Sequence, residues 1–183
     1  MNRNSRIFIA GHNGLVGSAV YRNLKFEGYK NLLIISRQEL DLKETQKVEL
    51  YFKKNKIEYL VICAALAGGI LANQNNPVQF FNENILIQNS LLNAALKFKL
   101  RRTVFLGTSC IYPENSITPI KEDYLLTGPL HKTNQAYAIA KISGIKLSEA
   151  MYNQYNLDTV ALMPRSEEHT SELQSRLHLV CRL

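Results

Sequence analysis

The sequence predicts an α/β fold built on a doubly wound parallel sheet. Three observations carry that reading. Short apolar runs alternate with longer amphipathic stretches, the rhythm of strand–helix–strand units. The first run stops at a glycine trio that opens a helix. The runs are apolar throughout rather than alternating, as strands buried on both faces are. At 183 residues, 46% of them apolar, the chain can bury one good core and is not of disordered composition.

Each element follows in order. Arg6 to Ala10 reads as a buried strand that ends at Gly11. Gly14 to Phe26 has helical spacing, with Gly28 as its stop. Leu32 to Ile35 is a second strand. Thr45 to Lys54 is an amphipathic helix with Val48, Tyr51 and Phe52 on one side. Tyr59 to Cys63 is a third strand, which makes Cys63 a buried, inert thiol. Pro77 to Lys99 is a long helix that turns Phe80, Phe81, Ile85, Leu91, Leu92 and Leu96 inward. Thr103 to Leu106 is a fourth strand. The Pro-, Thr- and Asn-rich stretch from Pro113 to Thr133 is a long loop, a kind that is uncommon unless functional. Ala136 to Tyr155 is a helix and Thr159 to Leu162 a fifth strand. Ligands of such a sheet bind beyond the carboxyl ends of its strands, where Gly11, Thr108 and Pro164 converge.

Composition narrows the function classes. No apolar run reaches the ~20 residues of a membrane helix, and no secretory leader opens the chain. Cys63, Cys110 and Cys181 have no metal spacing, and an odd count fits free thiols in the cytoplasm. The net charge of +7 is scattered rather than clustered, which disfavours nucleic acid and suits an anionic small substrate. No metal, membrane or nucleic-acid partner is expected.

Gly11-His12-Asn13-Gly14-Leu15-Val16-Gly17 fits G-x-x-G-x-x-G between a strand and a helix. The first glycine permits a tight turn, the second lets backbone approach a pyrophosphate, and the third lets helix and strand pack closely. The helix N-terminus then offers free N–H groups to the phosphates. This is a dinucleotide fingerprint in its proper context. Arg37, with Asp41 and Leu42 beyond it, falls where the adenosine ribose would lie. An arginine there suits a 2′-phosphate and so NADP(H), while Glu39 and Asp41 keep NAD open.

Tyr137 and Lys141 lie four residues apart, on one face of a helix. A nearby ammonium lowers a phenol's pKa, so that it can give or take a proton on a substrate oxygen. Thr108 and Ser109 follow the fourth strand and can hydrogen-bond the same oxygen. Cys110 is a proton-transfer group if its pKa is lowered, and otherwise a buried thiol.

Taken together, Gly11–Gly17, Thr108–Ser109 and Tyr137/Lys141 resemble an extended short-chain dehydrogenase/reductase with a Rossmann domain. Three strings point further: Gly68 to Asn73, Ser109-Cys110-Ile111-Tyr112-Pro113, and Tyr137 to Leu147. They are similar to the members that epimerise and reduce GDP-4-keto-6-deoxy-D-mannose with NADPH, as homodimers. The resemblance implies Tyr137 as proton donor to the C4 oxygen and Lys141 as its partner on the nicotinamide ribose. It implies that Thr108, in place of a serine, binds that oxygen. Cys110 would move protons at the carbons flanking the ketone. Leu106, Gly107, Ser109 and Pro164 would line the cofactor. Two rivals stay open: another extended nucleotide-sugar epimerase or dehydratase, and a non-catalytic dinucleotide-binding module.

Departures from the family pattern are specific. Asn13 stands where some relatives carry an arginine, and Arg165 where they continue Thr-Asn-Leu-Tyr-Gly. No position matches the histidine that partners Cys110 in the family. From Arg165 the strand–helix rhythm ends, and Arg165 to Ser175 resembles a translated sequencing adapter. Residues 1–164 are therefore expected to form the dinucleotide-binding domain, cut before the substrate domain. Residues 165–183 are expected to be a non-native tail, and the fragment to be inactive alone.

Overall fold

A computed structural model describes residues 1–164; the tail reading falls outside them. The strands are β1 (Arg6–Ala10), β2 (Asn31–Leu33), β3 (Tyr59–Ile62), β4 (Arg102–Leu106) and β5 (Thr159–Leu162). The helices are α1 (Leu15–Phe26), α2 (Thr45–Asn55), α3 (Ile70–Asn75), α4 (Pro77–Lys97) and α5 (Gln135–Tyr155). All strand pairs are parallel, in the order β2-β1-β3-β4-β5. The strand order reverses at β1, because the chain passes first to one side of it and then to the other. A crevice at the carboxyl ends of β1 and β3 follows from that reversal.

The strand pleat divides the core. Phe8, Leu60, Ile62, Phe105 and Ala161 are buried on the face covered by α2, α4 and α5. Phe8 meets Phe52 edge-on, with ring centres 5.8 Å apart, and this anchors α2. The alternate residues Val61, Val104, Val160 and Leu162 lie on the other face, where α1 packs, and are only half-buried. Between α1 and this face runs an apolar groove of about 550 Å³, lined by Val16, Val20, Leu24, Val61 and Val104 among others.

Several expectations are corrected. The second strand is Asn31–Leu33 and not Leu32 to Ile35. Its register on β1 ends at Leu33, after which the chain leaves the sheet and brings Ile35 and Arg37 to the crevice. The third strand ends at Ile62, so Cys63 lies beyond it. Helix α3 went unread because it is six residues long and too short to show a period. Phe81 is 37% exposed, because the inward stripe of α4 runs through Phe80, Asn84, Gln88, Leu91 and Leu92. The Pro113–Thr133 loop contains the 3₁₀ turn Glu122–Tyr124, and a second turn, Lys132–Asn134, leads into α5.

Candidate active site

The turn after β1 is built by close approach. Gly11 has φ +84°, and a Cβ on it would lie 2.6 Å from the Ala64 nitrogen. A Cβ on Gly17 would collide with the Gly11 carbonyl oxygen. Gly14 caps α1 with no side-chain hydrogen bond, and its N–H donates to the Gly11 carbonyl at 3.1 Å. The first-turn donors of α1 are thus left without a side-chain acceptor. His12 Nδ1 is buried without a hydrogen-bond partner in the same turn.

The crevice beyond the turn is lined by Gly11–Gly14, by Ile35, Arg37 and Leu40–Lys43, and by Cys63–Leu66, with Glu83 and Ile87 from α4. Asn84 holds the Ala64–Leu66 segment in place. Its Oδ1 accepts from the Leu66 N–H, and its Nδ2 donates to the Leu66 and Phe80 carbonyls, at 2.9, 2.9 and 2.7 Å. The uncapped helix start, the cradle that a Cβ would fill and the orphaned His12 nitrogen fit a dinucleotide.

On the other side of β3 and β4, Thr108 caps the 3₁₀ turn Ser109–Ile111 by accepting from the Cys110 N–H at 3.4 Å. Its hydroxyl also lies beside the Tyr137 phenol and draws the phenol's pKa down. Burial outweighs this, and the neighbouring Cys110 adds to it, so the Tyr137 pKa lies above its ordinary value. The Phe80 ring stands edge-on to Tyr137, with centres 6.3 Å apart.

Lys141 differs from expectation. Its ammonium donates to the Leu106 carbonyl at 2.9 Å and lies 4.8 Å from the centre of the Phe105 ring. The side chain is buried, and burial pushes its pKa down to about 8. A buried ammonium needs an acceptor, and the one it takes is a main-chain oxygen of β4. Lys141 is therefore not among the causes that shift Tyr137. Helical spacing put the two residues on one face but did not fix where the lysine's long stem ends.

The structure brings Tyr137, Thr108 and Cys110 together and sets Arg37, Asp41 and Leu42 around the glycine crevice. Leu15 is 90% exposed. The side chains of Val16, Leu106 and Pro164 line the apolar groove by α1 and not the crevice. A Cβ on Gly107 would press on the Met163 sulfur. Ser109 opens the 3₁₀ turn. Sequence reasoning missed Lys43, Cys63, Ala64, Glu83 and Asn84. The short run Cys63-Ala64-Ala65, small residues after a strand, was the available signal for a backbone-lined floor. Burial pushes the Cys63 thiol up to about 11, so it stays protonated although it faces the crevice. Among the described residues no group of three His, Cys, Asp or Glu could hold a metal, and no helix is long and apolar enough to cross a membrane.

A parallel sheet with a glycine-turn crevice, flanked by a helix bearing Tyr137 and Lys141, defines a dinucleotide-binding domain of the short-chain dehydrogenase type. Comparison with known proteins narrows this. The chain belongs to the NAD dependent epimerase/dehydratase family, which it matches over residues 7–168. It is 43% identical over 164 residues to the putative GDP-L-fucose synthase 2 of Arabidopsis thaliana, covering 90% of this chain and 50% of that protein. It is 42% identical over 159 residues to the GDP-L-fucose synthase of Escherichia coli (strain K12), covering 87% and 50%. Among solved structures, the GDP-mannoheptose C4 reductase MlghC of Campylobacter jejuni, with NADP bound, aligns with a TM-score of 0.86 at 38% identity, covering 89% of this chain and 52% of that one. A GDP-L-fucose synthetase of Naegleria fowleri bound to NADP aligns with a TM-score of 0.80 at 28% identity, covering 90% and 51%. The chain spans about half the length of the curated relatives it matches.

Proposed function

We propose that this chain is the cofactor-binding and proton-donating half of a GDP-L-fucose synthase. The whole protein would convert GDP-4-keto-6-deoxy-D-mannose to GDP-L-fucose. The observation that carries the reading is the cluster of Tyr137, Thr108 and Cys110 beyond β4, at the same carboxyl edge of the sheet as the glycine crevice. The relatives' names agree with it.

The Gly11–Gly17 turn and the Arg37–Leu42 segment would hold NADPH, which would supply hydride to C4 of the sugar. Tyr137 gives the proton to the C4 oxygen, because a high-pKa phenol is fully protonated at neutral pH and loses its proton only to a stronger base. A developing alkoxide is such a base. The Thr108 hydroxyl beside the phenol steadies the phenolate left behind. Cys110 moves protons at C3 and C5, which are acidic because the 4-keto group stabilises the enolate. Lys141 fixes the Leu106 carbonyl and so the end of β4, from which Thr108 follows.

The protein acts in the cytoplasm and as a homodimer. Exposed Val78, Phe81 and Leu86 on α4, and Ile139 and Tyr152 on α5, offer the apolar surface for that contact. Residues 165–183 are read as a non-native tail, and the curated relatives are about twice as long as the chain.

The test is NADPH consumption by a full-length protein carrying residues 1–164, supplied with the keto sugar. Replacing Tyr137 by Phe should lower kcat by about 10²-fold or more with little change in NADPH affinity. A full-length protein that binds NADPH but never consumes it would leave only the binding-module reading. A second enzymatic reading is C4 reduction without epimerisation; the likeness to MlghC favours it.

A further inference from the structure

We infer that Lys43 and Glu83 set the choice between the two nicotinamide dinucleotides. Lys43 is the second cation of a 2′-phosphate site beside Arg37, and Glu83 is the carboxylate that the phosphate displaces. The inference rests on the dinucleotide reading of the crevice and extends it to two residues outside the fingerprint.

The geometry is that of an anion clamp already holding an anion. Arg37 Nη2 and Lys43 Nζ reach the same oxygen, Glu83 Oε2, at 3.3 and 3.8 Å. Both cations come from the segment after β2, where the adenosine ribose of a dinucleotide lies against such a sheet. Glu83 comes from α4, on the opposite wall. Its other oxygen accepts from Gln79 Nε2 at 3.0 Å, so the carboxylate stays placed when one cation leaves. A phosphate monoester carries about −1.5 to −2 charges and three acceptor oxygens. It can therefore take both cations where a single carboxylate oxygen now bridges them.

Asp41 completes the argument. An acidic residue here would accept from the free 2′-hydroxyl of NAD. Its Oδ1 instead accepts the Lys43 N–H at 3.0 Å, and its Oδ2 lies 3.5 Å from Lys43 Nζ. Lys43 thus neutralises the residue that would favour NAD. Glu39 is engaged elsewhere, accepting from the Ser36 hydroxyl and N–H. The four charges of the rim, Arg37, Lys43, Asp41 and Glu83, balance, so selectivity comes from where they sit and not from net charge. Lys43 and Glu83 are 25% and 15% exposed, and Arg37 is 66% exposed. The two partly sheltered groups are screened less by salt than the arginine.

The experiment is calorimetric titration of the 183-residue chain with NADP⁺, NAD⁺ and adenosine 2′-phosphate, for the wild type, Lys43→Gln, Lys43→Arg and Glu83→Gln. Lys43→Gln should weaken NADP⁺ and adenosine 2′-phosphate by about threefold to tenfold and leave NAD⁺ within about twofold. Lys43→Arg should restore the phosphate ligands. Glu83→Gln should tighten NADP⁺ relative to NAD⁺. Equal effects on both dinucleotides, or none, would overturn the inference while leaving the crevice a dinucleotide site. A wild-type chain that binds none of the three, while its circular dichroism is that of a folded α/β protein, overturns the dinucleotide reading and this inference with it.

Discussion

Lys141 is the only buried charged side chain among the described residues. Burial has pushed its pKa down to about 8 from 10.5. The folded state therefore releases this proton at a lower pH than the unfolded state does. Below about pH 8 the fold carries the whole penalty of a buried ammonium, and that penalty lifts as pH rises through 8 toward the unfolded value. Cys63 works the other way, since a thiol pushed up to about 11 loses stabilisation only above its ordinary 9. Thermal unfolding of a Cys63→Ala chain should therefore show the melting temperature rising between ~pH 8 and ~pH 10, after other slopes are subtracted with Lys141→Met, which removes the titration. Identical slopes in the two proteins would refute the buried charge. The Tyr137/Lys141 pair was legible from its four-residue spacing. The lysine's acceptor was not, because it depends on which strand lies beneath α5. Gly17 was fully legible, and Gly17→Ala should destabilise the chain by about 1–3 kcal/mol or more in urea and remove dinucleotide binding, since the turn must open.

Helix α4 was read as an apolar stripe, and three of its eight buried residues are polar. Asn84, Gln88 and Ser90 are buried on it. Asn84 pins the crevice floor, and Gln88 Nε2 donates to the Ala140 carbonyl at 2.7 Å and the Ser143 hydroxyl at 2.9 Å. This ties α4 to α5 one residue before Lys141. No pattern of polarity announces such residues, because a buried amide has the spacing of a core residue and the chemistry of a surface one. Asn84→Ala should cost about 2–3 kcal/mol, from the Leu66 groups left unpaired, and should weaken NADP⁺ more than Gln88→Leu does. Urea unfolding and calorimetry check both parts. Equal NADP⁺ affinity in the two variants would show that the floor needs no amide. The strands were legible to within two residues because each is an uninterrupted apolar run. Strand β2 shifted because the chain must leave the sheet early to bring Arg37 to the crevice.

At the scale of the molecule, the glycine turn and the Tyr137 cluster lie at the same, carboxyl end of one sheet. The sequence alone implied this through the strand–helix rhythm; the strand order had to be seen. One half of the relatives' length thus holds both the glycine crevice and the Tyr137, Thr108 and Cys110 cluster. The account stands most directly on a reaction in D₂O of a full-length protein carrying these residues, with NADPH and GDP-4-keto-6-deoxy-D-mannose. It predicts NADPH consumption and a GDP-L-fucose product bearing solvent deuterium at both C3 and C5, and loss of that label without loss of reduction when Cys110 becomes Ala. Reduction with no solvent deuterium at either carbon would contradict it and leave a C4 reductase.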